Sequence, residues 1–128
     1  MTTIVNAALE ALPKIGAGLP VDPFEYMAIG TGTTAEQETD TGLESEITTG
    51  GGERSQATCS YESGNLAVFT HEFTFTAELT ITEVGIFNAL SGGTMLLRHV
   101  YTEAKVVKPG ESLQITIKVN YDRPEGAT

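Results

Sequence analysis

Tryptophan is absent from this 128-residue chain, and cysteine occurs once, at Cys59. A single cysteine excludes an internal disulfide, so packing and hydrogen bonds must hold the fold. Cations are scarce: seven Lys and Arg stand against 17 Asp and Glu, for a net charge of −10. Duplex binding needs clustered Lys and Arg to displace counterions, and these scattered cations do not form such a surface. No apolar run reaches the roughly 18 residues of a membrane helix. The first residues lack the basic start and apolar run of a secretory signal. His-Glu-x-x-His, Cys-x-x-Cys, the P-loop and the G-x-S-x-G elbow are all missing. Serines, His71 or His99 and a carboxylate can be combined on paper, but no motif selects a set. Little aromatic surface is left for stacking on sugars, so a carbohydrate-binding sandwich is only a distant alternative.

What remains is ordinary globular material. Apolar residues make up 40% and charged residues 19%, too apolar for a disordered chain and enough for one modest core. Acidity of this degree keeps a protein soluble and steers it towards basic partners.

Residues Thr2 to Ile15 form the one helix candidate, capped by Thr2 or Thr3, with Ile4, Ala8, Leu12 and Ile15 at helical spacing. Pro13 is expected to end or kink it. The helix either covers an open end of the core or docks on a neighbouring subunit or partner. Ile4, Leu9, Leu12 and Ile15 are its candidate contacts. Residues 1–23 are read as a helical arm and linker, 24–121 as the β domain, and 122–128 as a flexible tail.

Phe24–Gly30 reads as a strand that is apolar on both faces. Gly30-Thr-Gly32-Thr-Thr-Ala35 follows and matches the opening of a dinucleotide fingerprint. The continuation, Glu-Gln-Glu-Thr-Asp40, is acidic and lacks the required helix, so nucleotide binding is not supported. Glu36, Glu38, Asp40, Glu44 and Glu46 could offer oxygens to calcium, but their spacing is not that of an EF-hand loop. A solvated loop is the simpler reading. Leu43 and Ile47 suggest one helical turn tucked onto the core. Thr48-Thr-Gly-Gly-Gly52 reads as a mobile loop.

From Arg54 the pattern is β. Arg54–Tyr61 alternates as a half-exposed strand that places Cys59 on its less polar side, as a small buried hydrophobe. After a turn at Glu62–Asn65, Leu66–Thr76 puts Ala67, Phe69, His71, Phe73 and Phe75 on one face. His71 is read as a partly buried core residue, not a ligand. Leu79–Tyr101 is a hairpin closed by Asn88–Gly93. Its apolar parity flips at Glu83–Gly85, which implies a bulge at Gly85. Arg98 could pair with Glu83 across the hairpin, as a weak surface pair. Glu111–Tyr121 is the cleanest strand, with Leu113, Ile115, Ile117, Val119 and Tyr121 inward. Together these give an all-β, antiparallel, jelly-roll-like sandwich with one short N-terminal helix.

Three blocks in order carry a resemblance: Tyr26–Ala35 with Asp40-Thr-Gly-Leu43 and Glu46; Ile81–Ala89 with Gly92–Arg98; and Lys108–Lys118. This set is similar to small structural proteins of tailed viruses. The resemblance implies a non-enzymatic virion component without cofactors, assembled in the host cytoplasm. It implies first a capsid decoration (cement) protein, a homotrimer binding the major capsid protein, with the helical arm meeting the capsid. A tail-fibre or baseplate-associated module is the alternative.

Overall fold

The computed structural model describes residues 2–62 and 66–120. It is a two-sheet antiparallel sandwich with one helix. The strands are β1 (Thr2–Ile4), β2 (Tyr26–Gly30), β3 (Ser55–Gln56), β4 (Thr58–Glu62), β5 (Leu66–Thr74), β6 (Leu79–Phe87), β7 (Met95–Val107) and β8 (Ser112–Asn120), and α1 is Asn6–Gly16. One sheet runs β1-β7-β6-β2-β3; the other runs β4-β5-β8.

The three-stranded sheet follows its sequence pattern. Phe69 pairs with Ile117, His71 with Ile115 and Phe73 with Leu113, so the apolar side chains share the inner face. Phe69, Phe73, Ile115 and Val119 are buried there. The His71 ring packs edge-on against Phe73, 4.5 Å between centroids. The outer face is polar, with Thr70 bonded to Thr116 and Thr74 to Ser112. Tyr121 and the Ser63–Asn65 turn lie outside the described residues, as does the expected tail at 122–128.

The five-stranded sheet behaves differently, because both of its faces are covered. On one face Met27, Ile29, Val84, Ile86 and Leu97 join the central core. On the other, Ala28, Gly85 and Arg98 share one rung and Gly30 faces Glu83 on the next. Small residues there leave room for the 31–54 segment to lie against the sheet. Leu43 fills that room; a Cβ on Gly85 would sit 2.9 Å from its Cδ2.

Several expectations are corrected. The chain starts with a strand: β1 pairs with β7 at Ile4–Leu97, and α1 begins only at Asn6. The backbone of Thr2–Ile4 pairs with β7, and the N-cap of α1 is Val5 and not Thr2 or Thr3. Pro13 lies inside α1, which continues to Gly16; in the last turn of so short a helix it removes one ladder bond without ending it. Leu43 and Ile47 do pack inward, but from an irregular segment, with Glu46 bridged to Gly30. The Gly50–Gly52 loop is packed: Thr76 N–H donates to Gly50 O at 2.9 Å, and a Cβ on Gly51 would clash with the Thr74 carbonyl.

Arg54–Tyr61 is not one strand. β3 belongs to the large sheet and β4 to the small one, with buried Ala57 between them donating its N–H to Glu25 O at 2.7 Å. Cys59 is therefore exposed, on an edge strand. Partial burial of its thiol, followed by the Glu25 charge, raises its pKa. The register break in the hairpin lies earlier than Gly85. Ile81 pairs with Lys105 and Glu83 with Val100, so Thr82 stands opposite Tyr101–Ala104, and a second shift follows Ile86.

Candidate interaction surface

Glu83 is the centre of the large sheet's outer layer. Its side chain is fully buried, a position that an unpaired carboxylate could not hold. Four donors meet it: Gly32 N–H at 2.8 Å, Glu44 N–H at 2.9 Å, Ser45 N–H at 2.8 Å and Arg98 Nε at 2.8 Å. The Gly-x-Gly spacing now has its reason. A Cβ on Gly30 would lie 2.5 Å from Glu83 Oε2 and from the Ser45 carbonyl, and one on Gly32 would meet the same carboxylate at 2.5 Å. These glycines approach a carboxylate of their own chain, not a pyrophosphate. Thr82 Oγ1 closes the arrangement by donating to Gly32 O at 2.7 Å.

The Glu83–Arg98 pair forms as expected but is buried, with Arg98 only 2% exposed. Arg98 also reaches Asp40 Oδ2 at 3.2 Å. Burial works against the Arg98 charge, yet the hydrogen bonds and charges of Glu83, then of Asp40, raise its pKa above the ordinary value. Asp40 in turn accepts from Gln37 N–H. Glu44 accepts from Thr34 Oγ1 and from the N–H groups of Thr34 and Thr33, and these bonds lower its pKa, the Thr34 hydroxyl first. The expected solvated acidic loop is thus largely bonded in place, and Asn6 N–H on Glu38 O ties the start of α1 to it.

Arg54 fastens the other end. Its guanidinium holds Glu46 through two bonds, donates to Ala89 O and Gly92 O, and lies 3.8 Å above the Phe87 ring. The sequence placed Arg54 on a polar strand face. Its role could have been suspected from scarcity, since an arginine so close to an acidic loop has few rivals for those carboxylates. The fastened 88–93 turn and Arg54 border a cleft of about 420 Å³, with Glu46, Thr48, Glu53, Leu90 and Ser91 on its walls. Among the described residues, no group of three or more His, Cys, Asp or Glu is placed to hold a metal.

The residues singled out on the N-terminal segment separate. Ile4 lies in β1 and Leu12 packs partly against the core, while Leu9 is 57% and Ile15 37% exposed. Leu9, Leu12 and Ile15 are three apart and form one row on α1; the buried Ala8 and Ala11 lie beside it, four residues before Leu12 and Ile15, so the row turns from solvent at Leu9 towards the core-facing side. Leu19, just beyond, is also exposed.

The fold and this clamped layer define a structural β-sandwich module, in which the buried charges hold loops in place. Comparison with protein families matches residues 14–119 to Podophage GP4 fiber I protein gp80. The chain belongs to that family, and it is a structural protein of tailed viruses. No curated protein matches the chain.

Proposed function

We propose that this protein is a structural component of the virion's tail fibre, acting by contact and not by catalysis. The supporting observation is the family match, which runs over most of α1's last turn, all of β2–β7 and β8 up to Val119. Of the two virion locations implied by the resemblance, this match favours the fibre, and nothing comparable favours capsid decoration. The geometry suits the role. A clamped loop layer gives a rigid outer surface, and the α1 row and Leu90 offer apolar contact points. Gold-labelled antibodies against the protein, applied to intact virions, test the proposal. Labelling at the tail fibres is the expected result; labelling spread over the capsid faces overturns it.

A further inference from the structure

Among the described residues the sandwich has four edges, and they are unequal. β1, β3 and β4 span three, two and five residues, whereas β8 runs for nine without a bulge or proline. Its register with β5 is unbroken from Ser112 to Asn120, and no described strand pairs with its other side. Such an edge presents a row of backbone donors and acceptors, and natural edges of this length carry a guard. The one charged residue on β8, Lys118, does not guard it. Its Nζ is drawn back across the sheet to Glu62, at 3.2 Å.

We propose that β8 pairs with β8 of a second copy, antiparallel about a two-fold axis through Thr116. Thr116 is the midpoint of the strand, so every residue then finds a partner. Ile115 meets Ile117 of the copy and Leu113 meets Val119, which extends the apolar inner face; Leu113 and Ile117 are only partly buried in one chain. On the outer face Lys118 meets Gln114 and Ser112 meets Asn120, so no like charges oppose each other. The two small sheets become one six-stranded sheet, and the interface is isologous. This inference rests on the edge alone and stands whether or not the protein lies in the fibre.

Sedimentation of the full chain over a concentration series is the test. A reversible dimer is expected. Thr116→Lys places two ammonium groups directly opposite each other on an exposed face, and raises the dissociation constant by about tenfold or more. Gln114→Glu gives each Lys118 a partner across the axis and lowers it by about two- to tenfold. In a Cys59→Ser background, Thr116→Cys under oxidation yields a cross-linked dimer that Cys59→Ser alone does not. A chain that stays monomeric at all concentrations overturns the proposal, and so does a dimer unmoved by Thr116→Lys. The homotrimer implied by the family resemblance is the competing assembly, and a three-fold particle also overturns it.

Discussion

The two sheets solve the same problem in opposite ways. The three-stranded sheet buries one face and leaves the other to water, so apolar and polar residues alternate along β5 and β8. The five-stranded sheet is covered twice, by the core on one side and by residues 31–54 on the other. Along β6, every residue from Ile81 to Phe87 is buried. The second cover carries polar backbone and must be hydrogen-bonded, which is why a carboxylate and a guanidinium sit inside. A solvated face tolerates substitution; a face covered by a bonded loop does not.

That contrast can be broken most forcefully at Glu83. Glu83→Ala leaves the buried Arg98 charge without its main partner and three N–H groups without an acceptor. Destabilisation of about 3–5 kcal/mol is expected in chemical denaturation. Gly30→Ala tests the close approach behind it. The added methyl has the Glu83 carboxylate and the Ser45 carbonyl as neighbours, and a loss of about 3 kcal/mol is expected. Arg54→Ala removes the fastener of the 88–93 turn. About 2 kcal/mol should be lost, and amide exchange should speed up at Thr94, whose N–H is held by Asn88 in that turn.

The small sheet provides the control. Lys118→Ala deletes an ion pair on its outer face, and denaturation should shift by less than about 1 kcal/mol. A loss as large as that of Glu83→Ala would erase the distinction between the sheets. The smallest effect is expected from Glu44, which is exposed. Its carboxyl pKa lies below the ordinary 4.5 when folded. The stabilisation is complete above the unfolded value and is lost as pH falls through the lower folded one. Glu44→Gln should flatten that part of the acid unfolding curve and leave the rest unchanged.

How far the sequence could be read follows the same division. The inward rows of β5 and β8 were legible because one solvated face makes alternation visible. The β6–β7 hairpin and its glycine turn were legible from its two apolar arms, and the Glu83–Arg98 pair from their placement on them. Its burial was not, because nothing local announces that a distant loop will cover the face. Gly30 and Gly32 were noticed for a nucleotide fingerprint; their actual neighbour lies about fifty residues away. Thr2–Ile4 read as helix because isoleucine and alanine spacing suited one, while the partner that makes it a strand, β7, is equally remote. Arg54–Tyr61 alternates smoothly through Ala57, so the change of sheet left no mark in the pattern.

That change of sheet has a mechanical consequence. Only Ala57 separates a residue hydrogen-bonded into one sheet from a residue hydrogen-bonded into the other. Adjacent Cα atoms are about 3.8 Å apart, and a one-residue crossing holds almost no slack. The sheets cannot slide past one another along this border without first tearing rungs from β3 or β4. Under tension the crossing acts as a short tether, passing shear from one layer to the other before the core itself has to yield.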